Sequence, residues 1–176
     1  MGRTADYSKE SCSIAATLEV VGDPWTLLIL RDAFRGVRRF EQWQERLGVA
    51  RNVLAARLKS LVHHGVLETR LYSERPPRSE YVLTAKGRAL SPVLLTMAAW
   101  GDAHVYGDEG GPIRFMHGDH EFSPEMVCAC CGKPPEGRDL QMEIKEEGAQ
   151  AVDAAAAAAA AMDDETNPKK EDGTDE

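Results

Sequence analysis

Apolar positions between residues 13 and 106 follow a fixed succession of periods. Ile14, Leu18 and Val21 recur at helical spacing, and Gly22 ends that segment. Asp23-Pro24 marks a second helix start, because aspartate accepts from the first free amides and proline suits the first helical position. This helix carries Trp25, Leu28 and Ile29 to about Arg35 and stops at Gly36. A short third helix over residues 39–47 places Phe40, Trp43 and Leu47 three and four apart. The fourth begins near Ala50 or Arg51 and buries Leu54, Leu58, Leu61 and Val62 before Gly65.

The period then falls to two. Leu67, Thr69 and Leu71 alternate with Glu68, Arg70 and Tyr72, and residues 80–84 read as a second strand. Between them, residues 73–79 form a polar, proline-stiffened loop, so the two strands make a hairpin. From Ala85 the helical pattern resumes, with Leu90, Leu94, Met97 and Trp100 as its stripe. Ser91-Pro92 must either kink that helix or begin a new one. Residues 1–106 are thus expected to be one packed domain. Residues 107–145 read as a linker and short extension carrying histidines and cysteines. Residues 146–176, with eight alanines at 154–161 and an acidic end, read as a disordered tail.

The succession helix, helix, short helix, helix, hairpin, helix is that of a winged helix-turn-helix, mainly α with a small β-hairpin wing. The turn Gly48-Val49-Ala50 is the short glycine-containing connection that sets one helix across another. With the leucines facing inward, the fourth helix presents Arg51, Asn52, Ala55, Ala56 and Lys59 outward. Alanines permit close approach to a major groove, while Arg and Asn match base edges in bidentate fashion. Arg57 is grouped with these DNA-contacting residues, although it lies nearer the buried stripe. Arg39, Arg75 and Arg78 are the expected phosphate or minor-groove contacts. The same basic face would also suit an acidic protein partner, so a winged-helix protein-interaction module is the alternative reading.

Charge alters this picture only when divided. The chain of 176 residues has a formal net charge of −8, which by itself argues against nucleic acid. Yet residues 1–107 hold 15 Lys and Arg against 11 Asp and Glu, while residues 108–176 hold 6 against 18. The front is basic and the tail strongly acidic. No apolar run approaches the ~18–20 residues of a membrane-spanning helix. The polar N-terminus shows no secretory segment and four cysteines make no disulfide framework, so a cytoplasmic protein without membrane contact is expected. No phosphate loop or nucleophile elbow is present, and no enzymatic activity is expected.

Residues 12–106 also carry a resemblance. Cys12 opens the first helix, followed by Leu18-Glu19-Val20-Val21-Gly22 and Trp25-Thr26-Leu27-Leu28-Ile29-Leu30-Arg31. Then come Arg39-Phe40, Arg57-Leu58, Gly65-Val66-Leu67, Pro76-Pro77-Arg78-Ser79-Glu80-Tyr81, Leu83-Thr84, Gly87 and Trp100-Gly101. This series resembles the HxlR-type family of bacterial winged-helix transcriptional regulators. The resemblance implies a homodimer built by the first and last helices, bound to an inverted-repeat operator on double-stranded DNA and responsive to oxidants, electrophiles or a small-molecule effector. A dimer is also reasonable physically, since one recognition helix reads only a few base pairs. The stripe of Leu94, Met97 and Trp100 either forms that interface or caps the monomer's core.

Two further groups carry chemistry. By the resemblance, Cys12 is a redox-sensing position at a helix start, where the dipole stabilises thiolate; the competing reading is a small buried filler. His117, His120, Cys128 and Cys131, with Cys130 between, form a donor set that zinc accepts. Either they hold a structural zinc or the extension is unmetallated and no cofactor is present.

Overall fold

The computed structural model describes residues 12–138, 140, 141 and 143. The expected tail over residues 146–176 lies outside them. Residues Val20–Leu140 form one unit, and residues before Val20 belong to a second. Helix α1 (Ser13–Val21) starts after Cys12, whose carbonyl accepts from the Ala16 amide.

Helix α2 (Pro24–Phe34) begins as its Asp-Pro pair predicts. Asp23 Oδ1 accepts from the amides of Trp25 at 3.0 Å and Thr26 at 3.3 Å, satisfying donors that the first turn leaves free. Helix α3 (Phe40–Leu47) starts with the Gln42 side chain accepting from the Arg39 amide, and it ends at Gly48, whose φ of 62° a glycine adopts without strain. Helix α4 (Arg51–His63) follows directly. Leu54, Leu58 and Leu61 are fully buried, together with Ile29, Leu30 and Trp43. Each such side chain contributes about 2 kcal/mol by leaving water. The Trp43 indole N–H donates to the Ile29 carbonyl at 3.1 Å, which fixes α3 on α2.

Strands β1 (Leu67–Glu74) and β2 (Pro77–Leu83) pair antiparallel from Leu67↔Leu83 to Glu74↔Pro77, with an irregularity at Tyr72. Sequence alternation placed a seven-residue loop here, and the structure instead leaves only Arg75 and Pro76 between the strands. Pairing with the opposite strand carries the extended backbone through the polar residues. The hairpin is anchored only at its base. Leu67 is buried, whereas Leu71, expected on the same side, is 59% exposed because the wing extends beyond the body that could cover it.

Thr84 closes the fold in two directions. Its hydroxyl donates to the Gly65 carbonyl at 2.6 Å and accepts from the Gly87 amide at the start of α5 (Ala85–Arg88). A Cβ at Gly87 would collide with the Val66 carbonyl, so only glycine permits this approach. Ser91-Pro92 begins a new helix rather than kinking one. Helix α6 (Ser91–Gly101) carries the proline in its first turn and continues into a π-helical turn over Asp102–Tyr106. The predicted stripe divides. Leu90 and Leu94 pack on the core, while Met97 and Trp100 remain exposed. A small hairpin, β3 (Met116–His117) and β4 (His120–Glu121), follows in the extension.

Candidate nucleic-acid interface

The outward side of α4 is set by its buried side. With Leu54, Leu58 and Leu61 inside, Arg51, Asn52, Ala55, Ala56 and Lys59 are all exposed. Val49 is buried in the turn between α3 and α4, which seats the helix start against the core. Asn52 and Lys59 have no side-chain partner among the described residues.

Arg51 is exposed but held. Its Nη1 donates to Gln44 Oε1 at 2.8 Å, and its guanidinium lies 4.8 Å from the centre of the Phe40 ring. Most of its five donors remain free for another acceptor. Gln44 and Phe40 were not anticipated from sequence; their signal is only that α3 ends shortly before Arg51. Arg39 is similarly carried by the wing, 4.5 Å above the Tyr72 ring. Arg75 and Arg78 are exposed at the hairpin tip without side-chain partners among the described residues.

Arg57 is turned away from this set. Its Nη2 pairs with Asp23 Oδ2 at 2.7 Å, its side chain is 21% exposed, and its Nε is buried without a partner among the described residues. Position 57 flanks the leucine stripe, and Asp23 at the start of α2 captures it there. The structure therefore separates Arg57 from the groove-facing residues with which sequence reasoning grouped it: it pins α4 to α2.

Other charged groups brace the frame. Asp32 is fully buried on α2 and receives Arg31 at 3.1 Å and Arg46 of α3 at 3.4 Å. The Tyr81 amide donates to the Arg38 carbonyl at 2.8 Å, and the Tyr81 ring packs edge-on against Trp43. Burial, reinforced by the Glu41 charge, raises the Tyr81 pKa. The wing is thus tied to the same tryptophan that ties α3 to α2. His64, at the end of α4, has Nδ1 2.9 Å from the Ser60 carbonyl oxygen, closing the last turn.

Cys12 is exposed, and its Sγ accepts from the Ala15 amide at 3.3 Å in the first turn of α1. In the extension, His117 and His120 face each other across the β3–β4 turn, ring centres 5.3 Å apart. Cys128 and Cys131 lie on a separate turn closed by the Gly132 amide on the Cys128 carbonyl. The backbone amides of Cys130 and Cys131, then the Cys131 thiol, lower the Cys128 pKa. Among the described residues, no three His, Cys, Asp or Glu side chains gather as a metal site. The two pairs of the expected zinc set are each formed but not brought together.

The HxlR-like helix-turn-helix family model matches residues 20–109. An uncharacterized HTH-type transcriptional regulator of Mycobacterium tuberculosis is 42% identical over 137 residues, covering 76% of this chain and 86% of that protein. The regulator YdeP of Bacillus subtilis is 33% identical over 56% of this chain and 80% of its own. Among solved structures, PA1607 superposes with a TM-score of 0.71 at 35% identity, covering 80% of this chain and all of that one. The redox regulator HypR in its reduced form gives a TM-score of 0.51 at 28% identity, over 53% of this chain and 94% of its own.

Proposed function

The chain belongs to the HxlR-like helix-turn-helix family, and from that premise we propose that it regulates transcription as a homodimer on an inverted-repeat operator, without catalysis, in the cytoplasm. DNA binding as a transcriptional regulator follows from the family. The observation that carries the finer reading is the outward face of α4, where Asn52 and Lys59 are unpaired among the described residues and Arg51 is preorganised by Gln44 and Phe40. Asn52 and Arg51 read base edges, Ala55 and Ala56 allow the helix to approach, and Lys59 meets phosphate. Arg39, Arg75 and Arg78 add phosphate or minor-groove contacts from the flank and wing. Arg57 supports α4 from behind.

The homodimer is supported by the outer side of α6. Val93, Met97 and Trp100 are exposed along it, Trp100 by 62%, and Val105 continues the apolar surface. Affinity purification of the protein with bound genomic fragments tests the reading. Enriched fragments are expected to share an inverted repeat with half-sites spaced by about one helical turn or a multiple of it. Absence of any enriched repeat contradicts it.

A redox response is a second reading, favoured by the exposed Cys12 thiol at the start of α1 and by likeness to a redox regulator. Peroxide would oxidise this thiol to a sulfenic acid. Cys12→Ser is then expected to abolish peroxide-dependent loss of DNA binding, and an unchanged response in that variant ends the reading.

A further inference from the structure

The helix-turn-helix occupies only one side of α2. On the other side, α2, α6 and the segment after α6 enclose a groove of about 760 Å³. That volume lies in the range of small-molecule sites. Its walls are apolar, built by Leu28 and Phe34 from α2, Leu95 from α6, and Ile113 and Phe115 from the following segment. Three charged side chains join them, Arg31, Arg35 and Asp102.

These three are not equivalent. Arg31 is engaged with buried Asp32 at 3.1 Å. Asp102 sits against Gly111, its Oδ1 occupying the place that a Cβ there would take. The Arg35 guanidinium has no partner among the described residues. The groove therefore combines apolar walls with a planar cation, Arg35, that has no partner among the described residues. Guanidinium donors match a carboxylate in bidentate fashion. We propose that this groove binds a small amphipathic carboxylate, its apolar body between α2 and α6 and its carboxylate on Arg35.

The position of the groove gives such a ligand influence over DNA binding. The opposite side of α2 supplies Asp23 to Arg57 of α4, the Ile29 carbonyl to Trp43 of α3, and Asp32 to Arg46 of α3. The other wall, α6, carries the exposed Val93, Met97 and Trp100. A ligand that alters the spacing of α2 and α6 thus acts on the seating of α4 and on the surface offered to a second copy. Coupling of this kind is reciprocal, so DNA and acid change each other's affinity by the same factor. This regulatory consequence rests on the DNA-binding reading; the ligand site does not.

Isothermal titration calorimetry of the full-length protein with 2-naphthoate, octanoate and the neutral 2-naphthamide tests the site directly. Saturable binding is expected for at least one acid, with 2-naphthoate favoured about tenfold over the amide by its charged hydrogen bonds. Arg35→Gln should remove that preference, and Ala98→Trp, on the α6 wall of the groove, should block it to all three, with circular dichroism verifying that both variants fold. Equal binding of acid and amide, or an unchanged preference in Arg35→Gln, overturns the proposal. So does the absence of saturable binding, as when a second copy fills the groove. Anisotropy titration of a bound genomic fragment with and without saturating acid should show at least a threefold shift in affinity. No shift while the acid binds overturns the coupling alone. Failure to bind any DNA, with acid binding intact, overturns the DNA-binding reading and leaves the site standing.

Discussion

Asn52 and Arg57 are both polar residues of one helix, and their surroundings give them opposite duties. Asn52 is exposed and unpaired among the described residues, whereas Arg57 is drawn to Asp23 at 2.7 Å. Asn52→Ala is expected to relax discrimination at one base position by about 1–3 kcal/mol, measured by titrating single-base variants of the operator. Arg57→Ala should instead lower folding stability by about 2 kcal/mol, between the values of exposed and buried pairs, while leaving the salt dependence of DNA binding unchanged. Denaturant unfolding together with salt titration checks both halves. The face of α4 was legible in sequence because three leucines at a helical period dictate what remains outside. The pairing of Arg57 was less so. Its partner lies far earlier in the chain, and only the folded arrangement of α2 and α4 brings them together. The hold of Gln44 and Phe40 on Arg51 escaped for the same reason.

At the scale of the element, the wing is the clearest case of a feature foreseen in kind but not in extent. Alternation announces a hairpin, yet local composition favoured a long loop through Arg75-Pro76-Pro77-Arg78. Cross-strand pairs Ser73↔Arg78 and Glu74↔Pro77 extend the ladder almost to the tip, so the two arginines stand at the end of a longer arm. Removing both, as Arg75→Ala with Arg78→Ala, should weaken binding to all DNA sequences alike. The slope of log affinity against log salt should flatten by about one unit for each phosphate that is no longer neutralised. A sequence-selective loss with no change of slope would contradict this role. Helix α6 shows a different limit. Its periodicity revealed one stripe, but the structure splits that stripe between the core and the surface. The groove was not visible at all, because three separated segments build it; Arg31 in the last turn of α2 and Arg35 at its C-cap are its only sequence signal.

For the molecule as a whole, segregation of charge reconciles an acidic composition with a nucleic-acid partner. The basic residues 1–107 carry the α4 face and the wing, while most of the acidic residues lie later in the chain. The proposed inverted-repeat reading calls for two copies, and the exposed side of α6 is the surface proposed for that contact. Trp100→Glu is expected to convert the dimer to a monomer in sedimentation equilibrium and to weaken inverted-repeat binding, with the domain still folded. An unchanged dimer would move the interface elsewhere. The most direct test of the α4 assignment is an anisotropy titration at low ionic strength, with a genomic fragment recovered from the purified protein. Wild-type protein should bind it, and a combined Arg51→Ala, Asn52→Ala, Lys59→Ala variant that folds normally should lose at least about a hundredfold in affinity, as expected when two base-reading side chains and one phosphate ligand are removed. Equal binding by the two proteins, or indifference of the wild type to duplex DNA, would contradict the assignment of α4 as the reading helix.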